Sequence, residues 1–292
     1  MIWIHSEAHE PPEFDELYVS MCCYCRSQMI NQDIKDLELK PPDDLAANHR
    51  DQVLGLAEIN DDSLLEQLNI EDASQEDTSV HHCPVCGWWL VDRIFWICTK
   101  SQIWHMCYRV SGSLRQLDEI NVDLPMSELC QYLVAKYASR YILHPKKMEE
   151  LVASIFENLG YRTELTCFTR DGGIDMFLHD SKGSLIGVQV KRYKDSIEIG
   201  QIRDFLGAMV LNGLTRGIFV TTSQFQSGAE GLRQVARQRG IELELADSTK
   251  LFELLKIAQV KSFVDYPSLS ELVDITDNSI FRFSFEVHLN SL

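Results

Sequence analysis

Asp171-Gly172-Gly173-Ile174-Asp175, and thirteen residues after Asp175 the run Val188-Gln189-Val190-Lys191-Arg192, are the stretch that decides how this chain is read. On a strand, residues two apart share a face. Gln189 and Lys191 therefore point one way while Val188 and Val190 point into a core. In the preceding segment Ile174, Met176 and Leu178 are apolar, which leaves Asp175 on the opposite face. Asp180-Ser181-Lys182-Gly183 reads as the turn of a hairpin, and the hairpin brings Asp175 beside Gln189 and Lys191. Taken singly, Asp171 and Asp175 would be turn residues and the lysine a solvent-facing one. Packing gives no account, however, of a glutamine and a lysine on one face of an otherwise apolar strand.

Hydrolysis of a phosphodiester uses a divalent ion to neutralise the phosphate and to make hydroxide from water. Hard cations such as Mg²⁺ take oxygen ligands, only one or two of them from protein carboxylates. Asp175 offers a carboxylate, Gln189 an amide oxygen and Val190 a backbone carbonyl, for Mg²⁺ or Mn²⁺. Lys191 is placed to hold the attacking water or to stabilise the pentavalent transition state. Gly172-Gly173 lets the backbone approach a phosphate closely. A further carboxylate comes from a helix opened by Pro145 and closed by Gly160, with the apolar stripe Met148, Leu151, Val152, Ile155 and Leu159. At 100° per residue Glu150 lies opposite that stripe, whereas Glu149 lies at its margin and can reach the sheet edge.

Outward from this centre the pattern continues as strand 161–167, the hairpin 174–179 and 185–192, and a helix carrying Ile202, Phe205, Leu206 and Met209. A buried strand at 217–222, a helix with Leu232, Val235 and Ala236, a period-two strand at 241–245 and a last helix at 251–258 complete it. The order α-β-β-β-α-β-α-β-α predicts an α/β fold, a mixed sheet flanked by helices.

Glu149-Glu150-Leu151-Val152, Leu159-Gly160-Tyr161, Asp171-Gly172-Gly173-Ile174-Asp175 and Gln189-Val190-Lys191-Arg192-Tyr193 resemble the catalytic domain of Mrr-type restriction endonucleases. These are members of the PD-(D/E)xK nuclease superfamily. The resemblance covers about 143–258. It implies a restriction-endonuclease-like fold, Mg²⁺-dependent cleavage and DNA, often modified or foreign, as substrate. It makes Asp175 and Gln189 metal-site residues, Lys191 the catalytic lysine and Glu149 the acid of the first helix. Gln189 stands where the superfamily name has an acid, as is common in the Mrr branch. The function expected is a type IV-like endonuclease of restriction or antiviral defence. The alternatives are a zinc-stabilised adaptor with an inactive nuclease fold and a repair or junction-processing nuclease.

The first half of the chain is of another kind. Cys22-x-x-Cys25 and Cys83-x-x-Cys86 can each offer two thiolates, and two such knuckles close a tetrahedral structural Zn²⁺ site. Their separation of about 57 residues is long for a zinc ribbon, and His81 and His82 are substitutes at hand. Cys98, Cys107, Cys130 and Cys167 lack such spacing and read as core. The interval 31–80 holds 14 acids and three bases; Leu64, Leu65 and Leu68 fit a short helix and 71–79 reads as a solvated loop. Strands at 90–91 and 94–97 suit a hairpin after the second knuckle, and Leu129, Leu133, Tyr137 and Tyr141 mark 111–143 as a helical linker.

The net charge of −17 is unevenly spread: residues 1–144 hold 24 acidic and 10 basic side chains, and residues 145–261 hold 15 and 16. A near-neutral nuclease half depends on local clusters to meet DNA. Arg192 and Lys194 beside the site and Arg233 and Arg237 one helical turn apart are the candidates. The acidic interval could compete with DNA as a brake, and the N-terminal module could bind a protein partner. One site per chain makes a homodimer a reasonable way to cut both strands. No apolar run reaches the ~20 residues that span a bilayer, and no signal peptide opens the chain, so a cytoplasmic protein with reduced or metal-bound cysteines is expected. The division expected is a zinc-ribbon-like module (1–110), a linker (111–143), an endonuclease domain (144–260) and a C-terminal extension (261–292).

Overall fold

The computed structural model describes residues 3–4, 20–34, 72–98, 102–166, 172–262 and 285–289. The expected helix around Leu64–Leu68, Asp171, Cys167 and most of the acidic interval lie outside these residues. Among the described residues no helix is long and apolar enough to cross a membrane.

The C-terminal half is one mixed five-stranded sheet with helices on both faces. It runs α2 (Pro145–Asn158), β7 (Arg162–Leu165), β8 (Met176–His179), β9 (Leu185–Lys191), α3 (Ile199–Leu211), β10 (Arg216–Thr221), α4 (Ala229–Gln238), β11 (Glu242–Ala246) and α5 (Ser248–Ser262). The spatial order is β11-β10-β9-β8-β7. β7, β8 and β9 form an antiparallel meander, whereas β9, β10 and β11 are parallel, each joined to the next through a helix.

Both faces of the sheet are covered, and β9 is buried from Ile186 to Val190. On one face Met176, Leu178, Ile186, Val188 and Val190 join Met148, Leu151, Val152 and Ile155 of α2 and Leu251 and Leu255 of α5. On the other, Phe205 and Met209 of α3 pack with Phe219 and Leu243. The expectation that Ile174 shares a face with Met176 and Leu178 is corrected: Ile174 belongs to the α3-side core. It precedes the first paired residue of β8 and follows Gly172 and Gly173, both at positive φ, so strand alternation does not extend back to it. Gly187 and Gly217 are partners across β9 and β10. A Cβ on Gly187 would meet Leu214, and one on Gly217 would meet Met209 and Phe205.

The N-terminal half contributes β2 (Ile30–Ile34), β3 (Asp72–His82), β4 (Trp89–Cys98) and β5 (Gln102–Ser111) as an antiparallel sheet, with β1 (Trp3–Ile4) paired to β6 (Ser113–Leu114). β12 (Phe285–Leu289), in the C-terminal extension, pairs with β5. Residues 72–79, expected as a solvated loop, are strand in spite of their polar composition: 72–77 pair with β4, with a register shift between Gln75 and Asp77, and 78–79 pair with both β2 and β4. The expected linker holds only one α-helix, α1 (Met126–Ala135), and a 3₁₀ turn, Tyr137–Tyr141. Leu129, Tyr132 and Leu133 are buried in a core continuous with that under α2. Glu119 fastens this segment: its Oε1 accepts from Tyr132 Oη and Ser139 Oγ, both at 3.0 Å.

Gly217→Ala tests the fit of α3 on the sheet. The added methyl would lie 2.8 Å from Met209 Cε and 3.1 Å from Phe205 Cε1. Overpacking of this kind should cost about 1–3 kcal/mol, visible as a lower thermal midpoint. An unchanged midpoint would mean that Met209 gives way freely.

Candidate active site

β9 sits between an antiparallel and a parallel neighbour, and the site lies where the first of these stops. The last antiparallel pair is Met176↔Val188, and just beyond it Asp175 N–H donates to Val188 C=O at 2.8 Å. Thr166 holds the other side of this peptide, its N–H donating to Asp175 C=O at 3.0 Å and its hydroxyl to Ile174 C=O at 2.7 Å. So fixed, Asp175 turns its carboxylate back on β9, where Oδ2 accepts the N–H of Val190 at 2.6 Å. The structure thus brings Asp175 between Gln189 and Lys191.

Lys191 C=O is turned towards β10, where Thr222 N–H and the Thr221 hydroxyl donate to it at 3.1 and 3.0 Å. Carbonyls of successive residues alternate sides along a strand, so that of Val190 is turned towards Asp175. Gln189 is 7% exposed. An ideal Cβ on Gly173 would lie 3.8 Å from Gln189 Nε2 and 3.1 Å from Ala208 Cβ. Gly173, at φ +86°, therefore allows α3 and Gln189 to close in together. The neighbours that a side chain at this position would meet are thus protein atoms of α3 and β9. An Asp carboxylate, a glutamine amide and a carbonyl are the oxygen donors a hard divalent ion takes, so the residues present fit one.

On α2, Glu150 is tied to Lys147 at 3.2 Å and Lys146 at 4.0 Å. Glu149 is half-buried on a helix that packs over β7, β8 and β9. Of the cations, Lys194 is exposed and its Nζ stands 6.0 Å over the Tyr141 ring. Arg192 is half-buried and donates to Tyr141 C=O. The structure does not bring Arg233 and Arg237 to this place. They share a hollow with Arg216, Gly217 and Glu242, at the opposite end of β10 from Thr221. That is about 16 Å away at the usual rise per strand residue. Arg233 is, moreover, held by Glu230 at 2.6 Å and faces Glu244 at 3.7 Å.

Sequence reasoning missed Arg140 and Thr221-Thr222-Ser223. Arg140 donates to Thr222 C=O at 3.0 Å and lies 4.3 and 3.9 Å from the Tyr137 and Tyr141 rings. The signal that could have found the second group is three hydroxyl residues in a row at the end of an apolar strand.

The four knuckle cysteines are brought together despite their separation, because β2 pairs with β3 in the register Ile30↔His82. Their sulfurs all lie within 4.8 Å of one another, with Cys25–Cys83 at 3.4 Å and Cys22–Cys86 at 3.6 Å. A tetrahedral ion with Zn–S bonds of about 2.3 Å requires sulfurs about 3.8 Å apart, so this set fits a structural ion without His81 or His82. Cys25 is driven far down because it accepts from Cys22, Cys83 and Cys86. Cys22 is pushed up to about 12 by its hydrogen bonds with Cys23 and Cys25. Cys83 and Cys86 also rise, first through Cys22 and Cys25. Without a cation, four clustered thiols cannot all ionise. Arg26 and Gly87, each just after its knuckle, are both left-handed, at φ 58° and 75°. Trp3 closes the module, donating from Nε1 to Cys86 C=O at 2.6 Å.

The C-terminal half is thus a mixed sheet flanked by helices, with a carboxylate set against a Gln-x-Lys strand. Residues 141–255 match the family model of the Mrr catalytic domain, a restriction endonuclease. The chain is 28% identical over 167 residues to the type IV methyl-directed restriction enzyme EcoKMrr of Escherichia coli K12, a match over 51% of each. It is 30% identical over 112 residues to the uncharacterized protein y4cE of Sinorhizobium fredii, over 36% of this chain and 28% of that one. The chain thus spans about half the length, or less, of these curated relatives. Among solved structures, the DNA modification-dependent restriction endonuclease AspBHI aligns with 18% identity and a TM-score of 0.35, over 57% of this chain and 45% of that one. MspJI restriction endonuclease in complex with a 27-mer oligonucleotide aligns with 18% identity and a TM-score of 0.30, over 56% and 38%.

Cys86→Ser removes one of the four sulfurs. Metal analysis should then find the bound ion lost and the melting temperature lowered. Equal metal content in the variant and the parent would refute the four-sulfur site.

Proposed function

We propose that this chain is a metal-dependent endodeoxyribonuclease that hydrolyses phosphodiester bonds in DNA, in cytoplasmic restriction or defence against foreign DNA. The observation that carries this reading is the Asp175 carboxylate locked on the Val190 N–H between Gln189 and Lys191. Asp175, the Gln189 amide oxygen and the Val190 carbonyl are the groups that would hold Mg²⁺ or Mn²⁺. A divalent ion held there would supply charge neutralisation at the phosphate and a water of lowered pKa. Lys191 orients the attacking water and offsets charge on the phosphate as the transition state forms. Glu149 adds a carboxylate from α2. The four-cysteine ion, which we assign as zinc, is structural, since a closed tetrahedral site has no position left for substrate.

Lys194 and Arg192 flank the lysine and supply the local positive charge that DNA needs. The remote Arg233 and Arg237 are already matched by acids in their surroundings and contribute little to it. In domain terms, we keep the division at 1–110, 111–143, 144–260 and 261–292, with the second segment packed as a bridge.

Plasmid cleavage in Mg²⁺ or Mn²⁺ tests the assignment. Asp175→Ala and Lys191→Ala should each lower the rate by about 100-fold or more with the melting temperature kept. Wild type and both variants behaving alike would leave a zinc-stabilised adaptor. For the DNA surface, Lys194→Ala should reduce the salt dependence of DNA binding by about one unit of slope, and Arg233→Ala should leave it unchanged. The reverse result would move the DNA to the other end of the sheet.

A further inference from the structure

Past Lys191 the two parallel strands cease to match. Lys191 pairs with Thr221, and pairing resumes at the bridge Ile197↔Phe225. There Ile197 N–H donates to Gln224 C=O at 2.8 Å and Gln226 N–H to Ile197 C=O at 3.1 Å. Six steps from Lys191 to Ile197 therefore run beside four from Thr221 to Phe225, and the surplus is a bulge containing Arg192, Tyr193 and Lys194. Bulges next to active sites bend the strand and re-aim its side chains.

A bulge takes backbone carbonyls off the ladder, and these need other donors. Side-chain hydroxyls supply them at Tyr193 and Asp195, and a third reinforces Lys191 C=O, which still accepts the Thr222 N–H at 3.1 Å on the ladder. Thr221 Oγ1 donates to Lys191 C=O at 3.0 Å, Thr222 Oγ1 to Tyr193 C=O at 2.8 Å and Ser223 Oγ to Asp195 C=O at 2.7 Å. Alternate carbonyls along the bulge are thus each held by one hydroxyl. The hydroxyl residues are 0%, 0% and 4% exposed, so they cannot touch DNA. Tyr193, Lys194 and Asp195 are themselves exposed, and water could have solvated their carbonyls. Three buried hydroxyls committed to an exposed bulge point to a need for fixed geometry. Arg140 braces the same unit from outside through Thr222 C=O.

We infer that Thr221, Thr222 and Ser223 are positioning residues, a hydroxyl staple that fixes the bulge after Lys191 and with it the placement of the Lys191 ammonium. The inference rests on the nuclease reading for what Lys191 does, but the staple itself can be measured without any activity.

Thr222→Val keeps the branched shape and removes the hydroxyl. Hydrogen exchange followed by mass spectrometry should show the amides of 192–196 exchanging about tenfold faster, the equivalent of one lost hydrogen bond. Plasmid cleavage in Mg²⁺ should show kcat down about 10- to 100-fold, the cost of a misplaced group, with KM for DNA within about twofold. Thr222→Ser should restore both, which a mere packing role would not do. Ser223→Ala, a milder change, should act in the same direction and decides the matter if Thr222→Val does not fold. Unchanged exchange in either folded variant overturns the staple. Faster exchange with unchanged kcat, or failure of the serine to rescue, overturns the positioning role. A wild type that cuts no DNA ends the nuclease reading and the positioning role with it, while exchange still decides the staple.

Discussion

The register of β9 between its two neighbours is the constraint on which the remainder depends. Met176↔Val188 on one side and Lys191↔Thr221 on the other put Val188 and Val190 under α2 and α5 and leave Gln189 and Lys191 on the opposite face. A slip of one residue would exchange the two sets. It would drive a lysine into an apolar core and take the Val190 N–H away from Asp175. The register is fixed by shape: Gly187 and Gly217 face each other across the strands, and there Leu214, Met209 and Phe205 press onto the sheet. Any other pairing would meet those side chains with a Cβ.

From that register the electrostatics follow. The Asp175 carboxylate meets the Val190 N–H, between Gln189 and Lys191 in the strand, at the end of β9 where the antiparallel partner stops. At the opposite end of β10, Arg216 is paired with Asp180 and Glu242 and Arg233 with Glu230, whereas Lys194 in the bulge after Lys191 is exposed. A half-chain of near-zero net charge can in this way hold a local cationic edge.

The cysteine module is joined to this frame by packing. Trp3 ties β1 to the second knuckle, and the Trp3, Tyr24 and Trp88 rings stack edge to face at 4.8 and 5.7 Å. The buried Glu119 network links the segment after β6 to α1 and to the 3₁₀ turn that carries Arg140. Through these residues the knuckles and the end of β9 share one continuous apolar core.

The sequence by itself determined the alternating pattern of β9, the helix phases and the two Cys-x-x-Cys pairs, because each is a local periodicity or spacing. Asp175, Gln189 and Lys191 could be grouped from it, since a hairpin is also local. Only the tertiary structure decided that residues 72–79 are strand, because their partners are β2 and β4 and their own polarity says nothing of them. It alone separated Ile174 from Met176, set Arg233 about 16 Å from Lys191 along β10, and let two knuckles about 57 residues apart meet. The Thr221-Thr222-Ser223 staple belongs to the same class. A hydroxyl announces a donor in the sequence, but the carbonyl it serves is named only when a parallel partner strand, about thirty residues away, is laid beside it.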